Sequence, residues 1–294
     1  MMGSAADIVI TGLILGGVYA LIAVGLSLQY GVGRVLNVSH GEFIILGALA
    51  TYSLYTVAGV NPLLSIVIVA PGLFVVGFVL DRTLFNDLRK TSTDEDHFEG
   101  RSLLASFGLL FVVQNVMLIL WGANLRGYSY LTRSVSIFGN RYGLNRVLAL
   151  GVAVGVSLVF YVFIKSTRTG KAIRAAAESP DMAWVLGVNK RVVLALCFGL
   201  GTALAGLAGV LYSMMFELQA SRGIELTIVA TVVVVFGGLG SITGSLLGGF
   251  LLGLVTSVVN FIDPSLSLVA FYLIFVLVLL FRPSGILGRE LHAD

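Results

Sequence analysis

Charge is what this 294-residue chain has least of: 11% of its residues are Asp, Glu, Lys or Arg, against 57% hydrophobic. That excludes an ordinary soluble domain, and a mean hydropathy of +1.01 points to a polytopic membrane protein. The single cysteine, Cys197, lies inside an apolar run, which rules out a disulfide framework or a cysteine metal site. His40, His97 and His292 are too scattered for a metal site, and no span carries paired carboxylates for a proton relay. The one Gly-Lys pair, Gly170-Lys171, has no glycine five residues before it and is followed by Ala, so no phosphate loop is present. An enzyme reading has almost no support, and the chain has no means of its own to use ATP. The first 33 residues hold no Lys or Arg; a cleavable signal peptide needs a basic start, so the first span is expected to be retained.

What the chain does have is long uncharged runs. Residues 8–28 match the roughly 20 residues needed to cross a bilayer. Residues 43–80 would make a helix of about 57 Å at 1.5 Å per residue, so they are expected to be two spans, broken at 58–62 where Asn61-Pro62 opposes helix. A polar loop at 81–101, a span at 102–125, a second loop at 126–146 and a span at 147–164 follow. Beyond 165–191 come a span at 192–216, a double run at 226–262 broken at 237–244, and a last span at 264–281 stopped by Arg282-Pro283. This gives an all-α membrane protein of eight or nine spans in a single domain.

The segment 165–191 orients the rest. It holds six of the eighteen Lys and Arg between two spans, which fixes it as cytoplasmic by the positive-inside tendency. Counting from it puts the amino terminus outside and the carboxyl terminus inside, with thirteen Lys or Arg inside and five outside. The net charge of +3 thus follows topology and is no sign of a nucleic-acid partner. Within the segment, Ser179 as N-cap, Pro180 at the first position, Asp181 against the dipole and Gly187 as a left-handed stop predict a short helix outside the membrane. Its apolar Met182, Trp184, Val185 and Leu186 are expected to dock, either on the protein's own helix ends or on a partner.

Two polar interruptions are the candidates for a pathway. Asn37, Ser39, His40 and Glu42 precede one apolar helix; Gln219, Ser221, Arg222 and Glu225 hold the corresponding place later on. A half-helix N-terminus there would face a cavity, and simple capping is the alternative. Gly16 precedes Glu42 by the same interval as Gly199 precedes Glu225, which suggests inverted repeats over about 8–164 and 192–282. Small residues four apart, Gly201/Ala205/Gly209 and Gly240/Gly244/Gly248, predict close helix packing in lipid, with a thin-walled pore lined by backbone as the alternative.

Six segments in order resemble the LivH-type permeases of branched-chain amino acid ABC importers: 16–26, 34–43, 170–175, 204–210, 235–241 and 282–288. The resemblance implies the ABC importer permease fold, a multi-pass place in the bacterial inner membrane and half of a translocation pathway. The implied partners are a second, related permease, two ATPase subunits that bind ATP and Mg, and a periplasmic binding protein; no cofactor is implied in this chain. It also implies that Arg174, Ala175, Ala176, Glu178, Pro180, Asp181, Trp184, Leu186 and Gly187 belong to a coupling segment for the ATPases. Related permeases serve urea, short amides and small aromatic acids. A secondary transporter would need an ion-coupling charge within a span, and a passive channel would carry flux without ATPase subunits.

Overall fold

A computed structural model describes residues 2–137, 139–282 and 284–287. Pro283 and Gly288, which belong to the carboxyl-terminal motif, lie outside the described residues, as does the side chain of Asp181. The elements are α1 (Met2–Gly33), α2 (His40–Thr56), α3 (Ile66–Leu80), a π turn (Asp81–Phe85), α4 (Asn86–Thr91), α5 (Glu95–Trp121), a hairpin of β1 (Ser134–Ile137) and β2 (Asn140–Gly143), α6 (Leu144–Ser166), α7 (Arg168–Glu178), α8 (Pro180–Val185), α9 (Lys190–Ser213), a 3-10 turn (Ala220–Arg222), α10 (Gly223–Gly237), α11 (Ile242–Ile262) and α12 (Ser267–Phe281). Among the described residues, eight helical stretches are long and apolar enough to cross a membrane. The 17-residue α2 makes a ninth, shorter helix.

The helices alternate in direction between two ends. At one end the last residue of α1, Gly33, meets Arg89, Arg34 pairs with Glu99, and Gly31 touches Gly240. At the other, Tyr142 bonds Asp7, Ser257 bonds the Ile8 carbonyl, and Tyr128 bonds Ser213. The expected breaks at 58–62 and 237–244 are present. Gly240, predicted to pack within a helix, instead sits in the α10–α11 turn at φ +77°, a left-handed conformation that favours glycine. Gly244 and Gly248 do pack, against Gly237 and Val233 of α10. At the base of that hairpin, Ile286 and Leu287 donate to the Phe236 and Gly237 carbonyls, supplying partners that the end of α10 lacks.

The expected polar loop at 81–101 is nearly all helix. Only 92–94 interrupts it, because Asp81 is buried against Arg89 (2.9 Å), Lys90 pairs with Asp87 one turn earlier, and Asp94 caps α5 by accepting from His97 N–H (2.7 Å). The segment 126–146, expected only to fold back, carries an antiparallel hairpin with Val135 opposite Tyr142.

α9 is the most enclosed span and α12 the least. Small residues let α9 sit there: a methyl on Gly201 would come within 2.6 Å of the Gly25 carbonyl oxygen of α1, Gly209 lies on Ile44 of α2, Ala205 is buried, and Gly199 touches Phe74 of α3. α1 and α11 pack equally tightly and antiparallel, where a methyl on Gly12 or Gly16 would come within 2.8 Å of the Leu254 or Phe250 Cα. Exchanging α1 with α9, α2 with α10 and α3 with α11 maps these neighbours onto one another: α1 on α11 becomes α9 on α3.

Candidate translocation site and coupling segment

α2 starts deep inside the protein. His40 Nε2 donates to the Ile22 carbonyl (3.1 Å), eleven residues back from the end of α1, or about 16 Å along its axis. The chain therefore leaves α1, turns back through 34–39 and begins a new helix well within the bundle. α10 begins at the same place: Gly41 N–H donates to Thr227 Oγ1 (2.8 Å), and Thr227 donates to the Val38 carbonyl (2.8 Å). From that meeting point α2 runs toward Tyr128 and Ser213, and α10 toward Gly31. Neither Gly41 nor Gly223 has room for a side chain; a methyl on Gly41 would strike the Gly223 carbonyl, and one on Gly223 would strike the Glu42 carboxyl.

The first polar interruption is wholly enclosed. Asn37, Ser39, His40 and Glu42 are each at most 1% exposed. Asn37 Oδ1 accepts from Ser39 N–H (3.1 Å) and Ser39 Oγ (2.6 Å), while its amide donates to Gln29 Oε1 (3.1 Å). Gln29 in turn donates to Phe198 O and Thr202 Oγ1 of α9, both at 3.2 Å. Buried amides need such satisfaction, and this network ties α1, the interruption and α9 together. Both carboxyl oxygens of Glu42 and Nδ1 of His40 are buried without a hydrogen-bond partner among the described residues.

The second interruption faces outward. Ser221 and Glu225 are exposed and Gln219 half-buried, its amide 3.4 Å from the Ala123 carbonyl. Arg222 bonds the Tyr212 side chain. The structure thus brings Glu42 and Gly223 together and leaves Ser221 and Glu225 on an open face with Ile224 and Ile228. Gln29, Thr202 and Thr227 were not singled out in the sequence; a polar side chain within or at the end of an apolar run was the available signal. At the end of the bundle that carries the hairpin, burial pushes the Tyr128 phenol up to about 12, and it is a neutral partner of Ser213.

The segment 165–191 folds as two helices where one short helix was expected. α7 packs back: Gly170 lies on the Phe163 and Ile164 carbonyls, and Ile173 and Ala176 are buried. Arg174, Ala175, Ala176 and Glu178 therefore belong to α7 and not to the short helix. Thr167 caps α7 by accepting from Gly170 N–H (2.9 Å). Ser179 has the extended backbone of an N-cap, but its side chain makes no capping hydrogen bond. Pro180 opens α8, and Gly187 adopts φ +85° after it. Of its apolar residues only Ala183 turns inward; Met182, Trp184, Val185 and Leu186 are 66–83% exposed, so they do not fold back on the protein's own helix ends.

Residues 8–279 match the family model described as the branched-chain amino acid transport system / permease component. The chain belongs to this permease family. It is 32% identical to the high-affinity branched-chain amino acid transport system permease protein BraD of Pseudomonas aeruginosa, covering 95% of this chain and 94% of that one. LivH of Salmonella typhimurium is 28% identical over 95% of this chain and 94% of its own length. A probable LivH of Methanocaldococcus jannaschii is 26% identical over 95% and 91%. Among solved structures, PsaBC from Streptococcus pneumoniae in complex with Fab shares the fold, with a TM-score of 0.51 and 13% identity over 96% of this chain and 92% of that one. The chain is thus a non-catalytic, multi-pass permease subunit of an ABC importer in the inner membrane.

Proposed function

We propose that the chain forms half of the pathway by which an ABC importer carries branched-chain amino acids inward. Its partners on this reading are a second related permease, two ATPase subunits that hold ATP and Mg, and a periplasmic binding protein; the chain itself carries no cofactor. The names of BraD and LivH support the substrate class.

One observation carries the coupling part. α8 presents Met182, Trp184, Val185 and Leu186 to solvent at the end that holds the basic segment. Four neighbouring apolar side chains beyond the membrane spans are a docking surface, and the side with most Lys and Arg is the side where ATP is found. α8 is a short rigid unit between α7 and α9, so closure of a docked ATPase would move both helices. Pro180 and Gly187 set its two ends. Arg174, Ala175, Ala176 and Glu178 would act through α7 as the arm behind it.

The pathway part rests on α10. Glu225 lies on its exposed face, and Ser221 is exposed in the 3-10 turn just before it, near the level where two helix N-termini meet; a carboxylate at such a depth needs water or a partner. The exchange relation among α1–α3 and α9–α11 supports inverted repeats, with the two half-helices as their equivalent elements.

The test is ATP-driven uptake of leucine into vesicles holding the reconstituted importer with Trp184→Asp and Leu186→Asp combined. Loss of uptake with the permease still folded in the membrane is expected; full uptake contradicts the coupling reading.

A further inference from the structure

We propose that the cavity between the end of α1, the α4–α5 link and the α7–α8 break binds a small zwitterionic amino acid with an apolar side chain. The cavity holds about 360 Å³, within the range of small-molecule sites. It lies away from the meeting point of α2 and α10, at the end of the protein that carries α8.

Its fixed element is Arg89. Nη1 is spent on Asp81 (2.9 Å), and the guanidinium lies over the Phe98 ring at 4.9 Å. The other terminal nitrogen, Nη2, is buried with no hydrogen-bond partner among the described residues. An unmet charged donor is costly, and a carboxylate is the acceptor whose geometry suits a guanidinium. Arg34, which also pairs with Glu99, and Lys190 add positive charge to the same cavity, while Asp94, whose Oδ1 caps α5, and Glu95 and Glu178 bring negative charge to it. Cations alone would mark a site for a simple anion; the carboxylates add a place for an ammonium group. Phe98 and Leu194 supply apolar wall for a side chain. The chemistry shared by all candidate ligands is an anionic group and an ammonium close together, which a free amino acid and a phosphatidylethanolamine headgroup both offer.

The α7–α8 break itself forms one wall, with Ala177 and Pro180 lining the cavity. An occupant would therefore sit between the coupling segment and the membrane helices. On the reading given under Proposed function, this would let imported amino acid restrain its own uptake from the cytoplasmic side; binding itself does not depend on that reading.

The experiment uses the complete importer in nanodiscs of phosphatidylcholine and phosphatidylglycerol, without the binding protein, and radiolabelled leucine as the probe. Arg34→Gln removes a half-exposed cation, and Ala177→Phe fills the space without touching a charge. Saturable leucine binding to the wild type, weakened about ten-fold or more in both variants, is the expected result. A second set of nanodiscs adds phosphatidylethanolamine; absence of saturable leucine binding, equal binding in all three proteins, or a site that takes phosphatidylethanolamine and does not respond to leucine overturns the amino-acid site. Hydrolysis stimulated by the loaded binding protein should fall when leucine is added to the wild type and hold steady in the variants. Variant-sensitive binding with hydrolysis unchanged would uphold the site and count against the coupling role of 165–191 instead.

Discussion

The two helices that begin inside this protein start from the same kind of sequence and end in opposite surroundings. At α2, Asn37, Ser39, His40 and Glu42 are sealed in, and Asn37 is joined through Gln29 to α9. At α10, Ser221 and Glu225 stand exposed and Gln219 is half-buried. Similar placement at a buried helix start therefore does not mean equivalent work. The first interruption holds the bundle together, and the second is left available to water, substrate or a second permease.

The comparison is broken most severely at the glycines where the two starts touch. Gly41→Val would drive a side chain into the Gly223 carbonyl, in contact with backbone that cannot step aside. A cost above the roughly 1–3 kcal/mol usual for overpacking is expected, read as loss of folded protein from the membrane fraction. The next effect in size is Asn37→Ala, which strips partners from Ser39 and Gln29 in a dry site. It should cost about 1–3 kcal/mol, visible as a lower thermal midpoint in detergent, whereas Gln219→Ala should stay within about 0.5 kcal/mol of the wild type. An equal loss from both substitutions would erase the distinction between the two interruptions.

Glu225→Gln sharpens it from the other side. Uptake should fall while the thermal midpoint and assembly with the ATPases stay unchanged, because the side chain is exposed in this chain. The smallest effect belongs to the coupling segment: Gly187→Val should penalise the φ +85° turn by about 1 kcal/mol, seen as weaker copurification of the ATPases at undiminished permease abundance.

Much of the architecture is legible in the sequence because lipid imposes simple rules. Uncharged runs mark the spans, Asn61-Pro62 and the glycines at 237–240 mark the breaks, and the basic segment marks one end. The loop at 81–101 was not legible: a charge count cannot see that Asp81 and Arg89 neutralise each other eight residues apart on a continuing helix. The start of α8 at Ser179-Pro180 was legible from its capping residues, but the helix before it was not, because α7 is held by tertiary packing: Gly170 lies on the Phe163 and Ile164 carbonyls of α6, and Ile173 is buried. Both candidate interruptions were found, yet their different exposure was hidden. Exposure depends on which neighbours lie over each helix start, and polarity along the chain does not encode that.

The central claim is that one interruption is a sealed joint and the other faces the pathway. It is tested most directly by cysteine accessibility in the assembled importer, after Cys197→Ser removes the native thiol. Glu225→Cys should react with a small impermeant thiol reagent, more slowly when transported substrate is present, while Glu42→Cys in otherwise identical protein should stay unlabelled. Labelling at position 42 as fast as at position 225, or protection of both, would contradict the account.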